Sequence, residues 1–133
     1  MKHIEVVCAI VMHQGRILCM QRAHKGSPST AGKWEFPGGK IEAREQPEQA
    51  LLRELQEEMD YQVVIVRHLV DVVHQYPDFA ITLRAYLCQA STANFNRKEH
   101  IDHCWLNPCQ LRQLDWAAAD DEILQAIEQE LGQ

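Results

Sequence analysis

The sequence predicts an α/β fold: a mixed β-sheet with helices packed on it. Two features of pattern point there. Segments with strand character outnumber those with helical character, and the helical segments fall both mid-chain and at the C-terminal end. A third feature is scale. With 133 residues, 46% of them hydrophobic and 24% charged, the chain is expected to form one globular domain over its whole length. A domain of this size buries roughly two-thirds of its unfolded surface, so its core needs no covalent staples.

The elements follow in order. Residues 4–12, IEVVCAIVM, read as a strand, the turn HQG follows, and RILCMQR over 16–22 is the second strand. Residues 23–33, AHKGSPSTAGK, are rich in Gly, Ser and Pro and form a loop. The next stretch, WEFPGGKIEAREQ, mixes apolar anchors, a Gly pair and acids, and is expected as a compact loop. Pro47 suits the first position of a helix, and residues 47–59 carry a helical period. Strands are expected at 62–70, 80–89 and 103–106. The segment 120–131 reads as an amphipathic helix capped by Asp120 or Asp121. No repeats, linkers or low-complexity tracts interrupt this order.

Composition excludes several function classes. The net charge of −6 argues against a duplex nucleic-acid surface, which needs a basic stripe. No apolar run reaches the roughly 18 residues of a membrane span. The first residues alternate and end in a turn, as a strand does and a signal peptide does not. The five cysteines are an odd number without a C-x-x-C pair. Cys8, Cys19 and Cys88 fall in strand-like apolar runs. Cys104 and Cys109, with His100 and His103 nearby, lack the tight paired spacing of a structural zinc site. A reducing, cytoplasmic setting is the expectation.

One helix is unusual. In RELQEEMD, residues 53–60, Glu54, Glu57 and Glu58 stand at i, i+3 and i+4 and share one face. Like charges so placed oppose the helix by roughly 0.2–0.5 kcal/mol per pair. They also gather in its C-terminal half, where the helix dipole disfavours negative charge. Solvated faces more often mix signs at i, i+4. Leu51, Leu52, Leu55 and Met59 are expected on the sheet-facing arc, with the acids beside it and Arg53 close enough to bond one of them. Carboxylate clusters of this kind suit hard cations such as Mg²⁺ or Mn²⁺. A bound cation would neutralise the cluster and let an acidic protein meet an anionic ligand.

Written from Gly39 as G-x5-E-x7-R-E-U-x-E-E-x-G-U, with U bulky and apolar, this region resembles the Nudix box. Gly39, Glu45, Arg53, Glu54, Leu55, Glu57 and Glu58 match in register. Asp60 stands where the family has Gly, and Tyr61 where it has an aliphatic residue. A left-handed helix end at Asp60 costs about 1 kcal/mol relative to Gly, and the departure is expected to be chemically silent. The segments WEFPGGKIE, PEQALLRELQEE and AITLRAYL resemble the MutT branch, and the likeness covers nearly the whole chain apart from a small insertion near residues 24–30. The fold it implies is the Nudix α/β/α sandwich with a mixed central β-sheet.

The same resemblance implies roles. Glu54, Glu57 and Glu58 would ligate Mg²⁺, with Mn²⁺ able to substitute, and the Gly38 carbonyl would add an oxygen. Arg53 would orient Glu54 by a charge-assisted hydrogen bond, and Glu45 would support the loop. Glu99, six residues before a Trp, matches a loop glutamate that joins the metal site or acts as base, so Glu54 and Glu99 are both candidates for the base. Lys40 would meet a phosphate or stay a solvated turn lysine. Arg22 and Phe36 match the base pocket, with Phe36 equally explicable as core. Asp120 falls where 8-oxo-guanine-specific members have Asn. Ionised Asp only accepts hydrogen bonds, so it would take donors from guanine or from the cytosine amine, or cap the last helix. The implied activity is hydrolysis of a nucleoside triphosphate to monophosphate and pyrophosphate by a monomer or weak homodimer. 8-oxo-dGTP leads as substrate, and CTP, dCTP or 5-methyl-dCTP is the alternative. A nucleotide-sensing Nudix module without catalysis and a plain acidic interaction domain are the rivals from other classes.

Overall fold

The computed structural model describes residues 2–132. Its elements are β1 (Lys2–His13), β2 (Arg16–Gln21), β3 (Trp34–Glu35), β4 (Gly38–Lys40), α1 (Pro47–Met59), β5 (Val64–Gln75), β6 (Phe79–Gln89) and β7 (Asp102–Leu106). A 3-10 helix (Pro108–Gln113), a 3-10 turn (Ala118–Asp120) and α2 (Asp121–Leu131) complete it.

The sheet runs β3-β2-β1-β6-β5, with β4 joined to β1 and β7 to β2. β1 and β6 pair in parallel from Lys2↔Phe79 to Met12↔Gln89, and the other pairs are antiparallel, so the sheet is mixed. Side chains alternate across each strand. On β1, Val7, Ala9 and Val11 face one core while Cys8 and Ile10 face the other; on β2, Leu18 and Met20 oppose Ile17 and Cys19. The first core receives Ala50, Leu51, Leu55 and Met59 of α1, and the second receives Ile123, Leu124 and Ile127 of α2. Full burial of each such Leu, Ile or Met side chain stabilises the fold by about 1.5–3 kcal/mol. The result is the α/β/α sandwich expected from the sequence. Among the described residues no helix is long and apolar enough to cross a membrane.

Several local expectations need correction. The stretch expected as loop over 34–46 contains β3 and β4. β5 ends at Gln75, five residues beyond the expected 70: residues 71–75 pair regularly with β6, but apart from Val72 they carry polar or exposed side chains and so lack the apolar run that marks a strand. Leu52 is 44% exposed, and Ala50 takes its place in the core. The buried arc of α1 is thereby rotated toward the acids, which turns Glu54 and Glu58 into a cavity. Asp120 precedes α2, but its side chain makes no capping hydrogen bond. Cys8, Cys19 and Cys88 are buried as expected, and all five cysteines are free.

Candidate active site

The glycine pair is where the acidic helix meets the sheet. Gly38 pairs with Cys8, and a Cβ there would overlap the Val7 carbonyl. A Cβ on Gly39 would overlap the Glu54 carboxylate. Both positions therefore require glycine for close approach, and together they seat Glu54 against β4.

Arg53 organises the acids more widely than the sequence suggests. Its Nε and Nη2 donate to the two Glu45 oxygens at 2.7 and 2.9 Å, and Nη2 also reaches the Lys40 carbonyl at 3.0 Å. Nη1 donates to Glu54 Oε1 at 3.0 Å and to Glu57 Oε2 at 3.1 Å. One guanidinium thus holds three carboxylates, where one was expected. The fork geometry makes this possible, since Arg offers five donors in a fixed plane. Its bonds hold the Glu45 carboxyl down at about 2. Glu54 responds oppositely: with its side chain only 14% exposed, burial raises its pKa, and Glu58 and Glu57 add to the rise against the opposing pull of Arg53.

A cavity of about 870 Å³ is lined by Glu54 and Glu58 of this cluster and by a second group of residues from other elements. Gly38, Gly39, Lys40, Glu54, Glu58 and Glu99 line one end; Arg22, Glu35, Phe36, Tyr76, His100 and Asp120 line the other. Its size falls within the roughly 300–1,000 Å³ of small-molecule sites. Of the residues expected in the site, Arg53 and Glu57 do not line it, the Glu57 carboxylate being turned to Arg53.

At the far end the chemistry differs. Phe36 is both core and lining: it is 3% exposed and stacks on Trp116 with ring centroids 4.5 Å apart. The turn that carries Asp120 is fixed by the Ala119 backbone N–H donating to the Tyr76 hydroxyl at 2.8 Å. Asp120 is 4% exposed, and burial, followed by the charge of Glu35, pushes its pKa well above the usual carboxylate range. Glu35 is held by His100 Nε2 at 2.9 Å and by Arg22 Nη1 at 3.3 Å, while Arg22 Nε is buried without a partner. Glu35, Tyr76 and His100 were not found by sequence reasoning. Their only signal was adjacency, Glu35 to Phe36 and His100 to Glu99; Tyr76 lies 44 residues from Asp120 and gave none.

The acidic end suits a divalent cation in donor type. Glu54, Glu58 and Glu99 all line the cavity, and Gly39 leaves room for the Glu54 carboxylate, a hard oxygen set that matches Mg²⁺ or Mn²⁺. Among the described residues no three His, Cys, Asp or Glu side chains already converge as a ligand cluster. Mg²⁺ keeps several of its waters and commonly takes only one or two carboxylates together with substrate phosphates.

Comparison with known proteins agrees with this geometry. The family model described as NUDIX domain matches residues 6–126. The chain is 35% identical over 127 residues to the CTP pyrophosphohydrolase of Escherichia coli K12, covering 96% of this chain and 93% of that protein. It is 30% identical over 124 residues to the 8-oxo-dGTP diphosphatase of the same organism, covering 93% and 95%. The solution structure of the E. coli ORF135 protein superposes with a TM-score of 0.79 at 34% identity, covering 96% of this chain and 89% of that one. Nudix hydrolases as a family generally use a divalent metal ion. With the box residues gathered by Arg53 at the mouth of one long cavity, and with relatives along nearly its whole length, the chain belongs to the Nudix family as a MutT-like hydrolase.

Proposed function

We propose that this hydrolase is a Mg²⁺-dependent nucleoside triphosphate pyrophosphohydrolase that releases a nucleoside monophosphate and pyrophosphate, with Mn²⁺ able to replace Mg²⁺. The observation that carries this is the single cavity joining an acidic, cation-suited end to a buried, partly aromatic end. Glu54, Glu57, Glu58 and Glu99, with the Gly38 carbonyl, would hold the cation, Glu57 being bonded to Arg53 here. When bound, the cation offsets the negative charge of the polyphosphate during displacement. Arg53 keeps Glu54 oriented. Either Glu54 or Glu99 accepts the proton of the attacking water, both being carboxylates at the cavity wall. Lys40 offers its charge to a phosphate from the same wall.

The nucleoside lies between Phe36, Arg22 and Asp120. 8-oxo-dGTP is the leading substrate. Asp120 favours a second candidate, a cytosine triphosphate such as CTP, dCTP or 5-methyl-dCTP. Burial raises its pKa and so favours the protonated carboxyl, which has one donor and one acceptor, as Asn has. That pair complements the N4 amine and N3 of cytosine, and the E. coli relative at 35% identity is a CTP pyrophosphohydrolase. The test is pyrophosphate release with Mg²⁺ across 8-oxo-dGTP, dGTP, dCTP, 5-methyl-dCTP, CTP and ADP-ribose. Pyrophosphate and monophosphate from at least one triphosphate are expected. Tight nucleotide binding with no turnover would instead favour a sensing module.

A further inference from the structure

The two positions at which the chain departs from the Nudix pattern, Asp60 and Tyr61, reach for the same loop. Asp60 ends α1 in the left-handed conformation, φ 48° and ψ 43°. Its carboxylate accepts from Asn96 Nδ2 at 2.7 Å and from Lys98 Nζ at 3.2 Å. Lys98 Nζ also donates to the Glu57 carbonyl at 3.1 Å, and the Asn96 backbone N–H to the Met59 carbonyl at 2.8 Å. The Tyr61 hydroxyl donates to the Thr92 carbonyl at 2.6 Å, and its ring packs on Phe95 with centroids 5.3 Å apart. Residues 92–98 are thereby tied to the C-terminal end of the acidic helix. Two residues further on, the His100–Glu35 bond at 2.9 Å ties the loop to the other end of the cavity. Glu99 lies between these anchors, exposed and lining the cavity.

We propose that Asp60 and Tyr61 on one side, and His100 with Glu35 on the other, are positioning residues that dock the 90–101 loop and so set Glu99 at the polyphosphate end of the cavity. The left-handed Asp60 is then no silent departure. Glycine would suit that backbone better, but it could not accept from Asn96 and Lys98. The strain is retained where it anchors a loop. Because Glu99 sits next to His100, the group that meets the polyphosphate is tied to the group that holds the nucleoside end. The proposal rests on the role given to Glu99 under the proposed function.

Asp60→Gly separates positioning from bulk stability. It relieves the left-handed strain and removes only exposed polar contacts, which contribute little to folding, so the melting temperature is expected not to fall. Amide hydrogen exchange over residues 92–101 of the cation-free protein is expected to accelerate. Turnover is expected to drop about tenfold, within the roughly hundredfold that a 1 Å misplacement can cost. Asp60→Asn keeps an acceptor and tolerates the left-handed backbone, and is expected to restore slow exchange and most of the turnover. Tyr61→Phe and His100→Ala are expected to behave as weaker and comparable forms of Asp60→Gly. His100→Gln, which can present a donor in place of Nε2, is expected to rescue. Combined with Glu99→Gln, Asp60→Gly is expected to add almost no further loss, because both act through one carboxylate. Unchanged exchange in Asp60→Gly would overturn the proposal. So would full turnover with accelerated exchange, or losses that simply multiply with that of Glu99→Gln. A wild-type protein silent on every nucleotide would refute the pyrophosphohydrolase function and the role given to Glu99, while docking of the loop would still be decided by the exchange rates.

Discussion

The two ends of the cavity treat carboxyl groups in opposite ways. At the acidic end, Glu45, Glu54 and Glu57 all accept hydrogen bonds from Arg53, which holds the Glu45 carboxyl down at about 2. At the other end, Asp120 is buried with no basic side chain bonded to it, and its neighbour Glu35 takes the bonds of Arg22 and His100. The lesson is that environment divides the labour among residues of one type. Carboxylates bonded by a guanidinium are acceptors that suit cations, while burial shifts a carboxyl toward its protonated form, which can donate as well as accept.

If that division holds, substitutions at the acidic end should abolish chemistry, and those at the nucleoside end should redirect it. The largest effect is expected for Glu54→Gln and Glu57→Gln. Each should lower kcat by about a hundredfold or more, measured by pyrophosphate release at saturating nucleotide with Mg²⁺. Full activity in both variants would remove the assigned metal roles. Arg53→Lys comes next. A lysine keeps the charge but not the fork that spans Glu45, Glu54 and Glu57, and a loss of about 10–100-fold in activity or Mn²⁺ affinity is expected, as for other residues that orient ligands.

Asp120→Asn probes the other end. Its signature should be a changed ratio of kcat/KM between cytosine and 8-oxo-guanine triphosphates, by about tenfold or 1.4 kcal/mol, with little loss on the better of the two. Stability supplies a second readout. Because the folded pKa of Asp120 is raised, the native state holds this proton more tightly than the unfolded chain does. Its contribution is complete below the unfolded value of about 3.9 and is lost as pH rises through the folded value. Asp120→Asn should therefore melt at increasingly higher temperature than wild type as pH climbs above about 4. A pH-independent difference would contradict burial of a titrating group.

The smallest effect belongs to Glu45, whose pKa is lowered to about 2 chiefly by its Arg53 hydrogen bonds. Its contribution is present above the unfolded value of about 4.3 and is lost as pH falls through the folded value. Glu45→Gln should melt slightly lower than wild type near pH 6, with the gap closing toward pH 2.

The same contrast explains what could be read in the sequence. Glu54, Glu57 and Glu58 share a helix face, so their spacing alone exposes them. The alternation on β1 and β2 likewise gives both layers of the core. The end around Asp120 draws Arg22, Glu35, Phe36, Tyr76, His100 and Asp120 from separate elements, and local periodicity holds no record of contacts between residues so far apart. Strand β5 was under-read because its last five residues carry polar or exposed side chains apart from Val72, although they pair regularly with β6. Asp60 and Tyr61 were visible as departures from a pattern, but the partners that give them meaning lie more than thirty residues away. Leu52 was misplaced because the helix is rolled toward its acids, with Ala50 buried in its stead.

The central claim is that the acids of α1 grip divalent cations carrying a polyphosphate, and anomalous diffraction from crystals soaked in Mn²⁺ and a non-hydrolysable nucleoside triphosphate tests it most directly. The expected result is one or more manganese peaks within about 2.0–2.3 Å of carboxylate oxygens of Glu54 and Glu58, bridging to phosphate oxygens. Phosphates bound in the cavity with no manganese at these side chains would contradict it.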